Sequence, residues 1–99
     1  MQNENMIPAY EFCRSHHLEV SFINTLQQYG LLEVKMIEET VYLPASELPQ
    51  AERIARLHNE LGINLEGIDA IKHLLERIET MQDEILRLKN QLRFYEEPQ

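Results

Sequence analysis

A chain of 99 residues with a net charge of −8 and one cysteine has room for one compact domain and an extension, but not for the walls of a large substrate pocket. Cys13 alone excludes an internal disulfide framework and fits a reducing compartment. The opening MQNENM has no basic segment ahead of an apolar run, and no stretch approaches the roughly 18 apolar residues of a membrane span, so a cytoplasmic location is expected. Up to Gln50 the only cations are Arg14 and Lys35, against Glu4, Glu11, Glu19, Glu33, Glu38, Glu39 and Glu47. Counterion release, which drives nucleic-acid binding, has almost nothing to act with in that half.

In chain order, Pro8 to Ser15 reads as a short helix with Pro8 in its first turn and Tyr10, Phe12 and Cys13 as apolar contacts, broken at His16-His17. From Glu19 to Tyr29, Phe22, Ile23 and Leu26 recur at helical spacing, and Gly30 stands where a C-terminal cap is wanted. Two short helices across a tight break make a helix-turn-helix candidate. Between Leu31 and Leu43, Val34, Met36, Val41 and Leu43 alternate with polar residues around Glu38-Glu39-Thr40, the pattern of a small β-hairpin or wing. Glu-Glu is poor chemistry for a type I′ turn, which favours Asn-Gly or Asp-Gly.

A third helix is expected to begin between Ser46 and Pro49 and to run through Ile54, Leu57 and Leu61 to Gly62, and Asn64 is placed to cap the next. That last helix has no Pro or Gly between Gly67 and Pro98. Its apolar positions Ile71, Leu74, Ile78, Met81, Ile85, Leu88, Leu92 and Tyr95 step by three and four without a miss, so they form a heptad seam with Ile, Ile, Ile and Leu at a and Leu, Met, Leu and Tyr at d. The fold class is therefore mainly all-α with a small hairpin. A winged helix-turn-helix domain is expected over 1–66 and a coiled-coil helix over 67–99, with Phe12, Phe22, Ile23, Leu26, Leu31, Ile54 and Leu57 in the core.

Glu11-Phe12-Cys13, Tyr29-Gly30-Leu31-Leu32-Glu33, Arg56-Leu57-His58-Asn59-Glu60-Leu61 and Gly62-Ile63-Asn64-Leu65-Glu66-Gly67-Ile68 together resemble the MerR-like winged helix-turn-helix group and, within it, the chaperone-modulator CbpM family. The resemblance covers roughly Ile7 to Tyr95. It implies a non-enzymatic protein that binds the J-domain of a CbpA/DnaJ-type co-chaperone and limits its stimulation of Hsp70, without a cofactor. The MerR group at large reads DNA through basic residues of the second helix and wing, and dimerises through a C-terminal coiled coil. Here helix two offers Asn24, Gln27 and Gln28, and the wing sets Lys35 against Glu33, Glu38 and Glu39. His17 stands where a helix-turn-helix usually has a positive-φ glycine, a conformation for which His is enriched among non-Gly residues.

The expected partner surface is accordingly Glu33, Glu38 and Glu39 of the wing with Glu19, Asn24, Gln27 and Gln28 of helix two, facing a basic J-domain helix. An excess of Glu also has the simpler role of keeping a surface soluble, and a MerR-type DNA-binding regulator is the alternative function. Cys13 and His16 have Cys-x-x-His spacing, but zinc wants three or four ligands, and His17, His58 and His73 would have to converge from elsewhere. The reading adopted makes Cys13 a small core residue and leaves the histidines solvated. No phosphate loop or nucleophile elbow occurs, and the pairs Glu38-Glu39, Asp83-Glu84 and Glu96-Glu97 read as solvated acidic faces. The seam either zips to a second copy, making a homodimer, or folds back on its own domain. A parallel dimer would set Glu84 at g against Lys89 at the following e, whereas an antiparallel one would not use that pair.

Overall fold

A computed structural model describes residues 5–96; Glu97 and Pro98 lie outside the described residues. The order is β1 (Met6–Pro8), α1 (Ala9–His16), α2 (Val20–Gln28), β2 (Lys35–Ile37), β3 (Thr40–Pro44), a 3₁₀ turn (Ala45–Glu47), α3 (Leu48–Asn59) and α4 (Leu65–Glu96). This is the expected winged helix-turn-helix succession, mostly helical, with one addition. Met6–Pro8 is a strand, paired antiparallel to β3 with Ile7 opposite Leu43, so that the sheet has three strands in the order β1-β3-β2. Three residues are too few for alternation to show in a sequence. Pro8 ends this strand and precedes α1 instead of entering it; an outer strand tolerates its missing N–H.

The helices of the first unit stop for local reasons. After α1, His17 takes the left-handed conformation (φ 58°, ψ 45°), as its place in the motif requires, and the Leu18 N–H donates to the Cys13 carbonyl at 2.9 Å. After α2, Gly30 (φ 74°) donates to the Gln27 carbonyl and Leu31 to the Leu26 carbonyl, both at 2.9 Å. That is a Schellman motif, completed by burial of Leu26 and Leu31 together. The third helix is shorter than its sequence suggests: it ends at Asn59, and Leu61 is exposed. Gly62 (φ 65°) turns the chain, and the Ile63 N–H reaches back to the Leu57 carbonyl at 3.1 Å. Leu61 fits the helical period, but the chain has already left the helix, so its side chain never meets the core. Asn64 caps α4 as expected, with its Oδ1 accepting from the Gly67 N–H at 2.8 Å.

The chain divides into two compact units at Asp69–Ala70, a little beyond the 66/67 boundary expected from sequence. Ile68 accounts for the difference: it is 1% exposed and belongs to the core cluster, so the first turn of α4 goes with the first unit. That core contains Phe12, Cys13, Ile23, Leu26, Leu31, Leu32, Leu43 and Ile54 with Ala9, Ala51 and Ala55, and Phe22 and Leu57 pack against it partly buried. The described residues of the second unit are helix alone. Within it Leu74, Ile78, Met81, Ile85, Leu88, Leu92 and Tyr95 are exposed and Ile71 is half-buried. Lys72 pairs with Glu76 at 2.8 Å, and Arg87 lies 3.6 Å from Glu84. The Lys72 hydrogen bond and charge hold the Glu76 carboxyl below its usual range.

The wing turn forms on its unfavourable residues. Glu38 and Glu39 both have positive φ (50° and 67°) between the paired Ile37 and Thr40, the dihedral signature of a type I′ turn. Each non-glycine residue held there costs on the order of 1 kcal/mol. Glu38→Asn combined with Glu39→Gly should therefore raise stability by about 1 kcal/mol in urea titration, and an unchanged or lower midpoint would refute the strain. Leu26→Ala or Ile54→Ala, each at a site 1% exposed, should cost roughly 2–5 kcal/mol in the same titration.

Candidate partner surface on the second helix and the wing

Helix α2 turns Ile23 and Leu26 into the core and leaves Ser21, Asn24, Gln27 and Gln28 outside. Asn24, Gln27 and Gln28 stand at i, i+3 and i+4, hence on one stripe of the helix surface. That stripe carries no charge of either sign. Glu19 sits at the N-terminal boundary of the helix in extended conformation, exposed, and its side chain makes no capping bond. Its backbone carbonyl accepts from the Phe22 N–H at 2.9 Å, and its charge is favourably placed at the positive end of the helix.

The wing residues separate into a base and a tip. Glu33 lies in the coil before β2, where its backbone N–H donates to Glu47 Oε1 at 3.1 Å, and its own side chain is exposed. Glu38 and Glu39 form the exposed tip. Lys35 is opposite Tyr42 on β2. The other cations of the first unit are Arg14 in the last turn of α1 and Arg53 and Arg56 on α3, all exposed. All seven sequence-selected residues thus reach solvent. Glu19 is at the opposite end of α2 from Gln27 and Gln28, and Glu38 and Glu39 are joined to each other by the turn.

Some surface features were not read from sequence. Ser21 belongs to the uncharged stripe of α2. Met36 and Ile37 of β2 are 68% and 47% exposed, which the alternation that marked the wing did not indicate. Apolar exposure at a strand end depends on where the neighbouring elements stop, and residue order does not carry that.

The histidines also differ from expectation, since two are not simply solvated. His16 is half-buried, stacks on Phe12 at 4.1 Å between ring centroids, and donates from Nδ1 to the Phe12 carbonyl at 3.0 Å. His58 is half-buried, stacks on Phe22 at 4.6 Å and donates from Nδ1 to the Ile63 carbonyl at 3.3 Å. Asn59 donates to the His16 carbonyl at 2.7 Å, tying α3 to the end of α1. The ring faces of His16 and His58 therefore serve as packing surface against Phe12 and Phe22, and a shallow cleft of about 410 Å³ is lined by His17, Glu19, Phe22, Thr25 and His58 among others.

Cys13 is 2% exposed, as the core reading required, and burial pushes its thiol pKa up. The thiolate that a metal or an electrophile needs is thereby disfavoured. Among the described residues no group of three His, Cys, Asp or Glu side chains is gathered to hold a metal ion. No helix among them is long and apolar enough to cross a membrane.

Comparison with known proteins agrees with this architecture. Residues 7–90 match the family described as MerR HTH family regulatory protein. No curated protein matches the chain, and no solved structure does. With the match covering the helix-turn-helix, the wing and most of the long helix, the chain belongs to the MerR HTH family of regulatory proteins.

Proposed function

We propose that this member of the family is a non-enzymatic chaperone modulator that binds the J-domain of a CbpA/DnaJ-type co-chaperone and limits its stimulation of Hsp70. One observation carries the reading. On the face where a winged helix-turn-helix meets a polyanion, α2 exposes only neutral Ser21, Asn24, Gln27 and Gln28, while the wing exposes Glu33, Glu38 and Glu39 against Lys35. Such a surface repels phosphate and complements a cationic protein helix. The likeness of the sequence to CbpM proteins supplies the partner class. The mechanism is competition: an occupied J-domain face cannot engage Hsp70, and no bond is made or broken by this chain.

The alternative is DNA binding as a MerR-type regulator, favoured by the family itself. Its phosphate contacts would come from Arg53 and Arg56 on α3 or from a partner, so the affinity for DNA would fall only shallowly with salt. Surface-immobilised J-domain and mixed DNA fragments at two salt concentrations separate the readings. The wild type should bind the J-domain and slow the J-domain-stimulated Hsp70 ATPase. Glu38→Lys with Glu39→Lys should slow association and flatten its salt dependence without loss of helical circular dichroism. DNA binding at both salt concentrations with no J-domain binding would reverse the assignment.

The same proposal includes a homodimer joined through Ile71, Leu74, Ile78, Met81, Ile85, Leu88, Leu92 and Tyr95. All of these but the half-buried Ile71 are exposed, at strict a and d spacing along a helix of 32 residues, and this supports it, because such a stripe is stable in water only when covered. Ile78→Lys with Ile85→Lys would bury unpaired charges in that seam. Analytical ultracentrifugation should then find a monomer where the wild type sediments as a dimer, and a mass unchanged by the double substitution would place the long helix elsewhere.

A further inference from the structure

The wing carries the two consecutive exposed apolar side chains of the first unit, Met36 and Ile37. The unit's other large exposed apolar side chains among the described residues, Tyr10, Tyr29 and Leu61, are scattered singly along the chain, which is ordinary for a soluble surface. Successive strand residues point to opposite faces, so Met36 shares its face with its partner Val41, while Ile37 shares the other with Thr40. Their strand is one of the two outer strands in the order β1-β3-β2, so a body lying along its unpaired edge is within reach of both side chains.

The charge around them selects the occupant. Glu38 and Glu39 follow Ile37 directly, Glu33 precedes the strand, and Lys35 is the single cation. Phosphate backbones and anionic lipid surfaces are repelled by that rim. A second copy brings the same acidic hairpin on a chain of net charge −8. What remains is a cationic protein segment with apolar side chains between its Lys and Arg. The tip also holds two glutamates in a strained conformation that Asn-Gly would adopt freely, a cost the hairpin alone does not require.

We infer that the free edge of the wing docks a basic amphipathic segment of a partner protein, with Met36 and Ile37 as its apolar anchors and Glu33, Glu38 and Glu39 as the rim that steers it in. This deepens the J-domain reading and rests on it. The two kinds of residue have separable roles: desolvated apolar anchors set the dissociation rate, and exposed charges set the association rate.

The test measures association and dissociation of purified J-domain on the full-length chain by surface plasmon resonance. Met36→Ser and Ile37→Ser should each dissociate about tenfold faster with an unchanged salt dependence of association, and Met36→Leu should restore the slow dissociation. Circular dichroism and the urea midpoint establish that each variant is folded, and any variant that loses the fold is replaced by Met36→Gln, which keeps the side-chain length. If folded Ser and Gln variants dissociate at the wild-type rate, the anchors are refuted while the J-domain reading survives. If the wild type itself does not bind the J-domain, that reading fails and the anchors fall with it.

Discussion

The first unit depends on stopping three helices at the right residue. A domain of under 70 residues can bury only one small cluster, so every element must return to it, and each helix must end where its last apolar side chain has been delivered. His17, Gly30 and Gly62 do this with positive φ. At α2 the reversal and the packing are one device: the residue that closes the Schellman bond, Leu31, is buried with Leu26, whose carbonyl it caps. At α1 the same reversal is made by a histidine, and the neighbouring His16 adds its ring to Phe12. The geometry of the helix-turn-helix thus follows from backbone reversals that packing then secures.

Around this frame the polar surface is strongly biased. The helix that the fold presents outward is neutral, the hairpin beside it in sequence is acidic, and the arginines lie on α1 and α3. The fold is that of the MerR HTH family, and in this chain its second helix and wing carry a single cation, Lys35, beside three glutamates. Retaining shape while changing charge alters which partners are attracted without touching the core, because the exposed stripe of a helix and the tip of a hairpin contribute little to burial. The strained Glu38-Glu39 turn belongs to the same bias: stability is given up where an uncharged turn would have been more comfortable.

Features set within five or six residues of chain were legible in the sequence. The caps at Gly30 and Asn64 follow from local backbone chemistry, the positive φ of His17 from its place in the helix-turn-helix, and the hairpin from the alternation on either side of Glu38-Glu39 although the turn residues themselves disfavour it; each is found where its residues place it. The acidic and neutral character of the candidate surface is equally a property of composition. Tertiary structure decided what depends on partners distant in the chain: β1 exists because β3 offers it a ladder, Ile68 joins the first unit because the core has room for it, and Leu61 is left in water because α3 stops before it. Met36 and Ile37 belong with these, since the pattern that marks a strand says nothing of whether another layer covers its end. Sequence by itself therefore determined the helices, the hairpin and their charge, through interactions short in the chain; the added strand and which side chains are covered were left to the three-dimensional meeting of elements, because pairing and burial depend on neighbours that local order does not name.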